Sequence, residues 1–195
     1  SNLVKRDVVP PSIADQVEDF FDDIKDTFGG NHRQLDMRSL ATARDWHYTK
    51  RKHLEDFDYA VRSLRFFQNK KRTRIQHVLE FREVKTASRI ELFDVGNRGG
   101  NKKVSTCCLI ESDLLNLPRF LLRPKKTIEK MTSVFASSQT LLAKFPDLQK
   151  QYTMQAKHPE YMHGYLTEQW SEHLLSMPLL TIEGLDGWLL IYTQQ

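Results

Sequence analysis

Between Arg74 and Ile110 the chain repeats with a period of two, and this limits its possible folds more than any other feature. Ile75, His77, Leu79 and Phe81 alternate with Gln76, Val78, Glu80 and Arg82. Ile90, Leu92 and Asp94 then alternate with Glu91, Phe93 and Val95, and residues 104–110 make a third run. Neighbouring side chains of a strand point to opposite faces, so three such runs with short links predict an antiparallel meander. The link at 96–101 carries Gly96, Gly99 and Gly100 but lacks the Lys-Ser/Thr pair of a phosphate loop, so it reads as a hairpin loop. A second strand pair, 179–182 and 188–192, closes the chain around Glu183-Gly184-Leu185-Asp186-Gly187.

Shorter elements fill the rest. Strands are predicted over 120–123 and, as candidates, 47–49 and 151–154, with Leu117-Pro118 as a break. Helices are predicted from Asp36 as cap through Met37, Leu40 and Ala41 toward Trp46, and from Thr127 over Ile128, Met131 and Val134. Two more follow, one opened by Pro159 and one through Trp170, Leu174 and Leu175. Residues 50–72 are rich in Phe, Tyr and Leu without a clean period. The fold class expected is α+β, an antiparallel sheet with packed helices, preceded by an amphipathic N-terminal helix.

That first helix is the clearest in the chain. Val8-Val9-Pro10-Pro11 is a stiff lead-in, Ser12 the cap, and Gly29-Gly30 the stop. Ile13, Val17, Phe20, Phe21, Ile24 and Phe28 form one apolar stripe with aspartates opposite. The stripe is expected to dock on its own domain or on a second copy, giving self-association through 12–28. A membrane-surface role fits less well, because anionic lipid repels an acidic polar face. Ser1-Asn2 reads as a tag-cleavage remnant, with the natural N-terminus upstream. The division expected is an appendage over 1–30 and one α+β domain over 31–195. No stretch approaches the roughly 18 apolar residues of a membrane span.

Charge is unevenly spread. Residues 1–30 hold three basic and seven acidic side chains, a net −4, which leaves +8 for the rest of a chain whose total is +4. The basic residues cluster at Lys50-Arg51-Lys52, at Lys70-Lys71-Arg72 with Arg74, at Arg98 with Lys102-Lys103, and at Arg123 with Lys125-Lys126. On one face these would attract phosphate groups of lipid or nucleic acid, or an acidic protein surface; scattered, they are ordinary solvated charge. Phe66-Phe67 is the only aromatic pair beside them that could serve as a stacking platform.

Chemistry is sparse. Cys107 and Cys108 are adjacent, which strains a mutual disulfide, and in a strand they face opposite ways. They read as two ordinary thiols in a reducing compartment, with a vicinal redox or metal pair as the alternative. No nucleophile elbow and no zinc spacing occurs. One histidine-rich stretch remains: His158 and His163, then Glu168, Glu172 and His173. Imidazole and carboxylate together can share a proton or hold a metal, so these are the catalytic candidates, yet His158 and His163 stand five apart, off a common helical face. His77 is read as a satisfied core or edge histidine. No metal and no cofactor is predicted.

Several segments together resemble a family of uncharacterised bacterial membrane-associated proteins. Ser39-Leu40-Ala41-Thr42-Ala43-Arg44-Asp45-Trp46-His47-Tyr48 is similar to their helix-then-strand opening, with Asp45 where the family has glycine. Ile90-Glu91-Leu92-Phe93-Asp94-Val95, Ser105-Thr106-Cys107-Cys108-Leu109-Ile110 and Leu117-Pro118-Arg119-Phe120-Leu121-Leu122-Arg123-Pro124 resemble their later strands. Glu183-Gly184-Leu185-Asp186-Gly187-Trp188-Leu189-Leu190-Ile191-Tyr192 resembles their closing hairpin. The resemblance covers roughly residues 37–193 and brings no catalytic residues with it. It implies a cytoplasmic domain tethered to a bacterial inner membrane, with residues 3–30 as connector. The function expected is therefore that of a binding or regulatory domain. A His/carboxylate- or metal-dependent hydrolase and a nucleic-acid-binding module are the alternatives.

Overall fold

The alternating runs do form neighbouring antiparallel strands, and they belong to a larger sheet. The computed structural model describes residues 33–68, 73–83, 87–97, 104–125, 141–177 and 179–193. Eight strands are present: β1 His47–Lys52, β2 Thr73–Glu83, β3 Ser88–Asn97, β4 Val104–Ser112, β5 Leu117–Pro124, β6 Tyr152–Ala156, β7 Leu180–Asp186 and β8 Trp188–Thr193. Their order is β1-β2-β3-β4-β8-β7-β5-β6, every pairing antiparallel. The meander and the closing hairpin thus share one sheet. The helices are α1 Arg33–Arg44, α2 Tyr59–Arg62, α3 Arg65–Gln68, α4 Pro146–Gln151 and α5 Glu168–Ser176, with 3-10 turns at Leu54–Asp56 and Pro159–Gly164. The amphipathic helix expected over 12–28 and the helix expected from Thr127 lie outside the described residues.

Both faces of the sheet are covered, so its central strands are buried on both sides. One face packs against α1, α4, α5 and the Pro159–Gly164 turn through Met37, Leu148, Met162 and Leu174. The other packs against Phe57, Val61, Leu64, Phe66 and Phe67, from the connection between β1 and β2. Along β3, Ile90 and Leu92 enter the first core while Phe93 and Val95 enter the second. Cys107 and Cys108 divide the same way, as strand geometry requires, and neither is in a disulfide.

Four sequence expectations need correction. The alternation of Ile75, His77, Leu79 and Phe81 does not hold on one face. A bulge between Gln76 and Leu79, with His77 at φ 53°, puts Ile75 and Val78 on one side and Leu79 on the other. Leu117-Pro118 does not break the chain but opens β5, where the register to β7 shifts between Leu117 and Phe120; a bulge tolerates a residue with no N–H. The closing loop is not five residues, because Leu185 pairs with Trp188 and only Asp186 and Gly187 turn. Asp36 is not the cap of α1 but lies inside its first turn.

The end of α1 is informative. Asp45 adopts φ 55°, and the N–H of Trp46 reaches back to the carbonyl of Ala41 at 2.8 Å. This is a Schellman stop, whose left-handed residue is usually glycine. Aspartate fills that left-handed position here with some strain.

Candidate functional site

A cavity of about 180 Å³ lies between α5 and the sheet. Thr167 builds the helical wall by capping α5, its hydroxyl accepting the Trp170 N–H at 3.2 Å. Trp170, His173, Leu174 and Met177 recur at spacings of three and four and face the cavity together. The Pro159–Gly164 turn adds Met162 and, just beyond it, Tyr165 and Leu166. Leu117 and Phe120 of β5, Ile182 of β7, and Leu189 and Ile191 of β8 form the floor. The Tyr165 hydroxyl donates to the Asn116 carbonyl at 2.8 Å, pinning the turn to the link between β4 and β5. That link carries Leu115 of the wall and Leu114, which is 70% exposed. Tyr165, Trp170 and Leu189 are themselves not fully buried, so the cavity has a mouth.

Apart from the Trp170, His173 and Tyr165 side chains, the lining is hydrocarbon or thioether. An apolar space larger than a benzene-binding void of about 150 Å³ suits an apolar ligand group. The cavity brings no acid and base together. His173 enters its wall, but Glu168 and Glu172 lie exposed on α5. His158 is exposed and pairs with Glu160 at 3.3 Å, and His163 is exposed on the 3-10 turn. Among the described residues no group of three or more His, Cys, Asp or Glu side chains converges as metal ligands would.

Two buried charges serve the fold. Glu183, 3% exposed, accepts the N–H of Arg65 at 2.6 Å, the N–H of Phe66 at 2.9 Å and the Tyr192 hydroxyl at 2.7 Å. Burial pushes its carboxyl above the ordinary range, opposed by those three hydrogen bonds. The Tyr192 phenol is raised by burial and by the Glu183 carboxylate. Glu91, 1% exposed, pairs with Lys52 at 2.6 Å, and Arg89 bridges on to Glu111 at 2.7 Å. The Lys52 ammonium also sits 4.2 Å from the Phe57 ring centroid. Burial alone pushes the Cys108 thiol up to about 12.

The basic residues divide. Lys50 and Arg51 are exposed on the edge strand β1, and Lys52 turns inward to Glu91. Arg74 begins β2 and Arg123 and Lys125 end β5; the registers put these at the same end of the sheet, away from the β7–β8 turn. Five strand spacings separate Arg74 from Lys125, roughly 24 Å, so they share an end without forming one compact cluster. Lys70, Lys71, Arg72, Lys102, Lys103 and Lys126 lie outside the described residues. His77, half-buried at its bulge, lies 3.1 Å through Nδ1 from the Tyr48 hydroxyl.

Sequence reasoning passed over the cavity. Its one sequence signal, Trp170, His173, Leu174 and Met177 on a helical face, reads equally well as ordinary core.

The fold defines a broad class, a two-sided antiparallel sheet with helices on both faces. Within that class, the crystal structure of the mycobacterial trehalose monomycolate transport factor A, TtfA, is similar, with a TM-score of 0.58 over 84% of this chain and 83% of that one. Identity is 10%, so the likeness is one of fold alone. No protein-family profile and no curated protein matches the chain. No helix among the described residues is long and apolar enough to cross a membrane.

Proposed function

We propose that this chain is a binding domain whose site is the cavity under α5, and that it takes up the hydrocarbon part of a lipid-like ligand. The cavity itself carries this reading: about 180 Å³ walled by aliphatic, aromatic and thioether side chains, with a mouth beside Tyr165. The shared fold supports it by analogy, since TtfA is named as a trehalose monomycolate transport factor. A domain at the cytoplasmic face of a bacterial inner membrane would meet such ligands, and the sequence resemblance favours that setting. Arg74, Arg123 and Lys125 at the far end of the sheet support an accompanying attraction to anionic head groups.

Titration with a fluorescent fatty acid tests the proposal. Saturable binding, displaced by unlabelled alkanoate and weakened by filling the cavity with Leu189→Trp, is expected. A wild-type protein that binds no probe, or a Leu189→Trp variant that binds it as well as wild type, overturns the proposal.

A further inference from the structure

Gly184 sits in the middle of β7, paired with Phe120 of β5 on one side and Leu189 of β8 on the other. Glycine weakens a strand interior, and there it often marks a close approach by another group. The backbone does not require it here, because Gly184 is not in the left-handed region. Space does. A Cβ at this position would lie 2.2 Å from Cε1, 2.8 Å from Cδ1 and 3.0 Å from Cζ of Phe120. Atoms of the ring therefore occupy the volume that any side chain at 184 would fill. Phe120 also lines the cavity. A ring lifted from Gly184 moves toward that open space, since the neighbouring core at Leu122 is closed.

We infer that Gly184 sets the depth of the cavity by giving the Phe120 ring a place to lie, and that the depth so kept open accepts the end of a flexible alkyl chain. This rests on the cavity being the binding site. The alkyl assignment follows from the walls. Trp170 and Leu174 of α5, with Met177 just past its end, line a void of about 180 Å³ together with aliphatic side chains of three strands. Met162 and Met177 add unbranched, adaptable walls, which suit a chain with many conformers better than a rigid ring system.

The test titrates the full chain with alkanoates of increasing length and, as a rigid control, naphthoate. For the wild type, affinity should rise with length and level off where the chain leaves the cavity, with naphthoate weaker. Gly184→Ala should move the levelling point to shorter chains, and a chain that loses two buried methylenes should bind about tenfold more weakly. Phe120→Leu should move it to longer chains. The double variant, Gly184→Ala with Phe120→Leu, should recover the wild-type profile, an outcome that general damage to β7 would not produce. Should Gly184→Ala fail to fold, Phe120→Leu and the double variant still decide the matter. If the wild type binds alkanoates but the variants leave the length profile unchanged, the role given to Gly184 is wrong and the binding reading stands. Naphthoate binding as tight as alkanoate removes the alkyl-chain assignment. If the wild type binds neither, the binding reading falls and this inference with it.

Discussion

The carboxylate of Glu183 accepts the backbone N–H of Arg65 at 2.6 Å across 118 residues of sequence, holding the first turn of α3 onto the sheet. Arg119 strengthens the same attachment, donating to the Ser63 hydroxyl at 2.7 Å. The long β1–β2 connection is in this way anchored to β5 and β7, far across the sheet from the strands it joins. Glu183→Gln turns one of the two acceptor oxygens into an NH2 donor that faces a backbone N–H, and should cost about 1–3 kcal/mol in urea unfolding. The pH response carries a definite sign. Because the folded carboxyl titrates above its ordinary range, its contribution to stability is full below that range and declines as pH rises through the raised value. Glu183→Gln should remove that part of the pH slope.

The ion pair of Lys52 and Glu91 should show the asymmetry of buried charge. Glu91→Ala leaves the half-buried Lys52 ammonium without its carboxylate, while Arg89 keeps Glu111, and should cost about 3 kcal/mol. Replacing both partners by apolar residues, Lys52→Met with Glu91→Leu, should recover most of that loss. A double-mutant cycle by chemical denaturation measures both.

Asp45 holds φ 55° at the end of α1. Asp45→Gly should raise stability by roughly 0.5–1 kcal/mol, because the strain of a side chain in the left-handed region exceeds the entropy glycine adds to the unfolded chain. Asp45→Val should lower it. The shift in urea midpoint decides the sign.

Cys107 and Cys108 are fully enclosed, and Cys108 is pushed up to about 12. Neither should react with a thiol reagent in the native state at mildly alkaline pH, because the nucleophile is the thiolate. Both should react once denaturant opens the sheet, and a colorimetric thiol count before and after denaturation checks this.

Local chemistry made the sheet readable and tertiary geometry hid the site. Period-two runs and the closing hairpin appear in the sequence because they obey strand geometry residue by residue. The bulge at His77 and the entry of Pro118 into β5 do not appear, since each depends on a partner strand. Glu183 looks like a loop residue beside Gly184, and only its contact with Arg65 and Phe66 shows why a carboxylate is buried there. The need for Gly184 is likewise visible only when the Phe120 ring is seen lying on it. His158, His163, Glu168, Glu172 and His173 stand close in sequence, yet the turn at Pro159–Gly164 and the face of α5 send His173 inward and leave the others at the surface.

The binding reading is tested most directly by labelling the methyl groups of Leu, Ile and Met and titrating with a medium-chain alkanoate under NMR observation. Saturable shifts confined to methyls that line the cavity, among them Leu117, Met162, Leu174, Met177, Ile182 and Ile191, are the predicted result. Shifts that do not saturate, or that spread to methyls on the other face of the sheet such as Leu64 and Leu190, would contradict it.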